Sequence, residues 1–404
     1  MKIIADLQIH SRYARATSKD INIDNLEKYA RIKGLNLLGT GDFQHPLWNK
    51  EIKSKLKEDD KGILWSATGF PFLWQTEVSL MFSQNGKRRA IHLLIFAPNT
   101  KTADKIISYL GSKGRLDYDG RPIFGITAEN LVRELKEIDE KIEIIPAHCM
   151  TPWFGLYGSD SGFDSLKECF GEQAENIHAI ESGMSADPAM LWRFKEKVNV
   201  VSFSDAHSFW PWRLGREATI FEINELSYEN IMHAIRTGDG LKETIETPPE
   251  YGKYHWDGHR NCNFSCSPAE TKKLNGICPI CGKKLTIGVE YRVEEIAKEK
   301  EGYSPKNAKP FFKLIPLHEL IAFVYKTSDS SKKAWGIYNE MISKFGNEFN
   351  ILLDVKKERL ISEKVDEKLV DLIILGREGK LKVKPGYDGV YGEVLPGEAQ
   401  ARLF

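Results

Sequence analysis

Met1-Lys2-Ile3-Ile4-Ala5-Asp6-Leu7-Gln8-Ile9-His10-Ser11 opens the chain, and its reading decides the fold. The apolar run reads as a strand over Ile3–Ile9, without the basic-then-apolar pattern of a secretion signal. In extended backbone residues 6, 8 and 10 point to one side, so a carboxylate, an amide and an imidazole converge where the strand ends.

Downstream, short apolar runs alternate with amphipathic stretches to about residue 240. Helices are predicted at Asn25–Lys33, Ala128–Glu137, around Ala189–Lys197 and at Ser227–Arg236. Strands are predicted at Leu35–Gly39, within Phe72–Phe82, and at Ala90–Phe96, Ile142–Pro146, Ile177–Glu181 and Val198–Phe203. This alternation argues for parallel βα units, and a count of about seven strands favours a closed, barrel-like sheet. The segment Thr247-Pro248-Pro249-Glu250 interrupts the pattern, and Glu301–Pro310 does so again. Helical patterns follow at His318–Tyr325, Lys332–Phe345 and Lys364–Arg377. The division is therefore 1–245, a barrel; 250–300, a small module; 310–394, a helical domain; and 395–404, a tail.

A chain of 404 residues exceeds what one core usually organises. Equal numbers of basic and acidic residues, 57 each, exclude a uniformly basic coat but leave room for a local basic groove. No apolar run reaches the length of a membrane span, so a cytoplasmic protein is expected. Cys262, Cys266, Cys278 and Cys281 form a C-x3-C-x11-C-x2-C cluster, which in a reducing compartment points to a structural zinc. Cys149 and Cys169 read as small buried hydrophobes.

Other strand ends repeat the theme of the first. Asp42 follows Gly39, Glu77 and His92 interrupt apolar strands, His148 follows Pro146, and Asp205 and His207 follow Phe203. A lone histidine in a strand is ordinarily core, but so many ligand types at one end of the strands mark the active-site face of a βα barrel. Carboxylates interleaved with imidazoles suit two or three hydrolytic divalent ions.

Together Asp6-Leu7-Gln8-Ile9-His10-Ser11, Glu77, His92, His148 and Asp205-Ala206-His207 resemble the polymerase-and-histidinol-phosphatase (PHP) superfamily of metal-dependent phosphoesterases, which have a distorted (β/α)7-type barrel. Gly39-Thr40-Gly41-Asp42, Thr151-Pro152-Trp153-Phe154-Gly155-Leu156-Tyr157, the cysteine cluster and Pro385-Gly386-Tyr387-Asp388-Gly389 extend the resemblance to the endonuclease Q family over nearly the whole chain. That resemblance implies an endonuclease that nicks DNA 5′ of deaminated bases (uracil, hypoxanthine, xanthine) and of abasic sites.

It also implies active-site metal ligands at Gln8, His10, Asp42, Glu77, His92, His148, Asp205 and His207, with Glu77 bridging and Asp205 and His207 nearest the attacking water. The metal is expected to be zinc, with magnesium or manganese as alternatives. The sequence departs from the superfamily's His-x-His at Gln8, an amide being a weaker ligand than imidazole, and from its Asp-His pair at Asp42-Phe43. Arg12, Arg15 and Lys19 are expected on flanking phosphates. Trp153, Phe154, Tyr157, Trp210 and Trp212 are expected to stack on a base flipped out of the duplex. The tail residues Gln400, Leu403 and Phe404 resemble the Q-x-x-L-F peptide by which repair enzymes bind the sliding clamp. Two rival readings are a small-molecule phosphoesterase and a metal-depleted DNA- or clamp-binding scaffold, the latter favoured by Gln8.

Overall fold

The computed structural model describes residues 1–395, so Gln400, Leu403 and Phe404 lie outside the described residues. The first strand, Lys2–Asp6, lies inside an eight-stranded sheet. It pairs in parallel with Leu37–Gly39, which pairs in parallel with Pro71–Leu73. On its other side it pairs antiparallel with Ala218–Glu222, then comes Leu241–Glu246, and Phe311–Lys313 forms the edge. A second sheet holds Gln75–Gln84, Lys87–Phe96 and Glu143–Pro146, with Ile123–Phe124 at its edge.

Mixed α/β architecture thus replaces the purely parallel pattern expected from alternation. The reason is local at Asn85-Gly86, where both residues take positive φ (54° and 73°). Such a two-residue turn folds Gln75–Gln84 back on Lys87–Phe96 as a hairpin. Ala179–Glu181 pairs in parallel with Asn199–Val201 as a separate sheet. The Cys149 N–H donates to Glu181 O (2.9 Å) and Ile9 bridges Ala206, so hydrogen bonds pass from sheet to sheet back to the first strand.

The helices form where caps and apolar spacing agree. Ile23–Lys33 is capped by the Asn22 side chain and ends at Gly34, whose φ is 99°. Thr100–Lys113, absent from the sequence-based expectation, is capped by Asn99 and buries Ala103, Ile106 and Leu110 on one face. Ile3 and Ala5 of the first strand and Leu73, Phe96, Ala179 and Val201 of four others share one apolar cluster with Ile231 and Ile235 of helix Tyr228–Thr237.

Two buried cation contacts tie the later residues to this frame. Lys33 Nζ, 1% exposed, pairs with Glu348 (2.7 Å) and donates to Pro211 O (2.8 Å). Glu348 also accepts from Leu317 N (3.0 Å) and Tyr338 Oη (2.8 Å). Arg292, on helix Val289–Ile296, donates to Tyr157 O (3.0 Å) and Phe163 O (3.2 Å). Among the described residues no helix is long and apolar enough to cross a membrane.

Candidate metal-centred active site

Residues from strand ends some two hundred positions apart meet at one mouth of the fold. Three of them, Asp42, His148 and Asp205, have left-handed backbone (φ 41°, 29° and 49°). Non-glycine residues rarely accept that conformation, which costs roughly 1–3 kcal/mol unless the surroundings enforce it, and such strain gathers at functional sites. His148 is closely packed as well, since a Cβ on Gly183 would sit 2.6 Å from the His148 Cβ.

Two groups of ligand atoms lie side by side, His10, Asp205 and His207 in one and Glu77, His92 and His148 in the other. Glu77 joins them. Its Oε1 lies 2.9 Å from His92 Nδ1 and 3.3 Å from His148 Nε2, while its Oε2 lies 3.0 Å from His10 Nε2. His10 Nε2 is also 3.0 Å from Asp205 Oδ1. An imidazole nitrogen aimed at two carboxylates marks a place for positive charge, whether a proton or a metal ion.

The electrostatics agree. Burial alone would lower His10, but Asp42, Asp205 and Glu77 hold it well above the usual histidine range. Burial would raise Glu77, yet Arg121 and the three imidazoles keep it well below the usual carboxylate range. Burial and the Arg121 charge bring His92 down to about 3, favouring a neutral ring. Burial would likewise raise Asp205, but His207 and the His10 hydrogen bond hold it down.

Gln8 donates through Nε2 to Glu77 Oε2 (3.0 Å), while its Oε1 is buried without a partner. An orphaned amide oxygen beside Glu77 is a ligand atom waiting for a cation, so the residues present fit a metal. Asp42, expected as a ligand, instead stands behind His10. Its Oδ1 is 2.9 Å from His10 Nδ1 and its Oδ2 accepts from Ser11 N (2.6 Å), the arrangement by which a carboxylate orients a ligating imidazole. Thr151 Oγ1 does the same for His148 Nδ1 (3.0 Å).

Three contributors were missed by the sequence reading. Glu181 accepts from the backbone N–H groups of His148 and Phe203, splinting two segments that carry candidate ligands. Its signal was available, since it ends an apolar strand as a charge. Arg121 Nη1 lies 3.1 Å from Glu77 Oε1, and Arg216 donates to Ser204 O (3.0 Å). Both arginines sit in loops without periodicity.

The mouth opens into a cavity of about 340 Å³ bordered by His92, Arg121, His148, Asp205, His207 and Arg216. Trp153, Phe154 and Tyr254 form its aromatic side. Trp153 is 44% exposed and meets Tyr254 edge-on (5.3 Å), while Phe154 stacks on His92 (4.5 Å). Tyr157 is fully buried against Phe194, so it belongs to the core rather than to a base platform. Trp210 and Trp212 stack on each other and pack on Trp335, and Trp212 also meets His318, tying the loop after His207 to the C-terminal helices. Arg12 pairs with Glu51, Arg15 with Asp119, and Lys19 donates to Arg12 O; none of the three borders the cavity.

At the second site the tight group is His259, Cys262, Cys278 and Cys281. His259 Nδ1 lies 3.2 Å from Cys262 Sγ and 3.3 Å from Cys281 Sγ. Cys266, expected as the fourth ligand, is buried with its Sγ on Thr271 Oγ1 (3.2 Å). Pairing of Asp257–His259 with Phe264–Cys266 swings His259 to the thiols, a placement that cysteine spacing does not reveal. Three thiols and an imidazole still suit a closed tetrahedral zinc site.

Comparison with known proteins gives consistent relatives. A family model described as the MJ0043 C-terminal domain matches residues 316–380. The chain is 34% identical to the uncharacterized protein MJ0043 of Methanocaldococcus jannaschii over 254 residues, 61% of this chain but only 31% of that relative. It is 28% identical to the uncharacterized protein YqxK of Bacillus subtilis, covering 98% of this chain and 100% of the other. The solved structure of the lesion-specific endonuclease PfuEndoQ from Pyrococcus furiosus matches with a TM-score of 0.89 and 33% identity, over 100% of this chain and 97% of that one. An Endonuclease Q complexed with a 27-mer duplex substrate, an abasic lesion at its active site, matches with a TM-score of 0.86 and 32% identity, covering 99% and 98%.

Proposed function

The chain belongs to the endonuclease Q family, and on that premise we propose that it is a metal-dependent DNA repair endonuclease that hydrolyses the phosphodiester 5′ of a lesion. The lesions are deaminated bases (uracil, hypoxanthine or xanthine) and abasic sites. The observation that carries this reading is Glu77, whose two oxygens face two separate groups of ligand atoms, as a carboxylate bridging two cations does. The neighbour bound to duplex with an abasic lesion supports DNA as the partner.

Gln8, His10, Glu77, His92, His148, Asp205 and His207 are the proposed ligands, with Asp42 acting through His10. Zinc, or magnesium or manganese in its place, would when bound lower the pKa of a coordinated water to about 7 and neutralise charge on the phosphate. The protein supplies the rest. Asp42 and Thr151 fix the rings of His10 and His148, so little reorganisation is needed as substrate arrives. In the cleavage the water oxygen bonds to phosphorus and loses a proton. The P–O3′ bond breaks, and the 3′ oxygen leaves with its electron pair and gains a proton.

A base inside the stack does not reach these groups. Extrusion into the cavity beside Trp153, Phe154 and Tyr254 brings the lesion nucleotide to them, at least cost for damaged or missing bases. The hydrogen-bonded circuit of strands supports a distorted (β/α)7-type barrel over 1–245. The zinc knuckle over 250–300 and the helical domain over 310–394 then flank it. The tail residues Gln400, Leu403 and Phe404 are proposed to bind a sliding clamp; their deletion abolishes clamp binding and spares nicking, and unchanged clamp binding ends that part of the reading.

Duplexes carrying uracil, hypoxanthine, xanthine or an abasic site, beside an undamaged control, test the main reading. The expected result is a single nick 5′ of the lesion and none in the control. Release of phosphate from small monoesters with no nicking would replace it by the small-molecule phosphoesterase reading.

A further inference from the structure

The loop Tyr118–Pro122 is held more firmly than its sequence suggests. Asp119, 5% exposed, accepts from the backbone N–H of Arg121 (3.1 Å) and of Arg15 (3.3 Å). Gly120 donates to Tyr13 O (3.1 Å), and its own carbonyl accepts from Gln44 Nε2 (2.6 Å). A Cβ on Gly120 would lie 2.2 Å from Asp42 Oδ2, so the loop lies directly against the site. Pro122 O in turn accepts from Ser79 N (3.0 Å). These contacts aim the Arg121 side chain into the mouth, where it is 25% exposed.

A guanidinium has five N–H donors in a planar fork that matches two oxygens of a phosphate. Among the described residues Arg121 makes one side-chain hydrogen bond, Nη1 to Glu77 Oε1 (3.1 Å), and otherwise borders the cavity with Asp205 and His207. Were neutralising Glu77 its whole task, no donor would need to face open space, and Glu77 already has His10, His92 and His148 against it. Preorganised donors aimed at a place where negative charge grows are the usual means of stabilising a phosphoryl transition state.

We propose that Arg121 is a catalytic residue that holds a non-bridging oxygen of the scissile phosphate while water adds to phosphorus and the P–O3′ bond breaks. The guanidinium stays charged and exchanges no proton. The inference rests on the nuclease reading above.

Single-turnover nicking of an abasic-site duplex by R121A and R121K tests it, with metal content and thermal unfolding measured on the same samples. R121A is expected to be about 100- to 1000-fold slower, the usual loss of one such donor, with metal content and unfolding midpoint as in wild type. R121K keeps the charge but not the fork and is expected to remain well below wild type. Added guanidinium ion restores part of the R121A rate and none of the R121K rate. R121A nicking as fast as an active wild type overturns the inference and leaves the nuclease reading intact, as does a loss of bound metal that accounts for the lost rate. Wild-type protein that nicks no duplex overturns both.

Discussion

The mouth of the strand circuit and the knuckle gather similar ligand atoms in opposite ways. At the mouth they come from Gln8 to His207, lie buried except for the half-buried Asp205 and His207, and are held by carboxylates, a hydroxyl and strained backbone. In the knuckle all four come from His259 to Cys281, and Cys281 is exposed. Burial opposes ionisation of Cys278, but the backbone N–H groups of Ile280 and Cys281 and the His259 ring bring its thiol down to about 7. The apolar cluster of the knuckle is small, with Cys266, Cys278 and Leu285 as its buried members. The fold therefore shapes the mouth by itself, whereas the knuckle has little apolar core of its own and is the region that a bound metal would stabilise most.

The largest expected effect breaks the mouth alone. Asp205→Ala or His207→Ala should reduce nicking by about 1000-fold or more while lesion-duplex binding, measured by gel shift, stays largely intact. Wild-type rates in either variant would refute the assignment. Glu181 sharpens the contrast, because it touches no proposed ligand's ring and holds only the backbone at His148 and Phe203. Glu181→Gln should cost about 10- to 100-fold in rate or metal affinity, the range for outer-shell partners; an unchanged metal titration and rate would make it merely core.

The knuckle should answer differently. Cys278→Ser should lose one zinc by elemental analysis and lower the unfolding midpoint, because ligand loss there is loss of local structure. His259→Ala should do likewise, and Cys266→Ser should keep its zinc. Zinc retained by His259→Ala and lost by Cys266→Ser would restore the four-cysteine set.

The smallest effect is a pH dependence. Burial raises the Glu246 carboxyl to about 7 despite hydrogen bonds from Thr244, Ser182 and Ser202, and raises Glu181 and Glu217 as well. These groups keep protons in the folded state that the unfolded chain releases near pH 4.5. The stability that Glu246 contributes is complete below that pH and is lost as pH rises through about 7. The unfolding midpoint should therefore fall between about pH 5 and about pH 8, and fall less in Glu246→Gln. A midpoint equally pH-dependent in both proteins would remove Glu246 as the source.

Much of the mouth was legible because strands end in residue types that apolar cores exclude. Glu77 and His92 stand out inside Gln75–Gln84 and Lys87–Phe96, although that pair proved antiparallel. What stayed hidden depends on contacts between distant segments. Arg121 becomes part of the site only because Ile123–Phe124 pairs with Gln75–Gln84 and brings its loop beside Glu77. Asp42 looks like a ligand in sequence, and in space its carboxylate meets the His10 ring and the Ser11 N–H. In the knuckle the cysteine spacing was visible and His255 and His259 were both open as auxiliaries, since only the pairing of two three-residue strands brings His259 rather than His255 to the thiols. The aromatic residues after His207 were legible as a cluster, yet whether they met DNA or Trp335 depended on how the C-terminal helices dock.

The most direct measurement is the divalent metal content of the intact protein set beside that of His10→Ala/His148→Ala and of Cys278→Ser. The wild type should hold more than one ion per chain and nick an abasic-site duplex. The double variant should keep only the knuckle's zinc and lose nicking, and Cys278→Ser should keep the ions of the mouth. A wild type with one zinc per chain, lost in Cys278→Ser and untouched in the double variant, would mean that the mouth holds no metal.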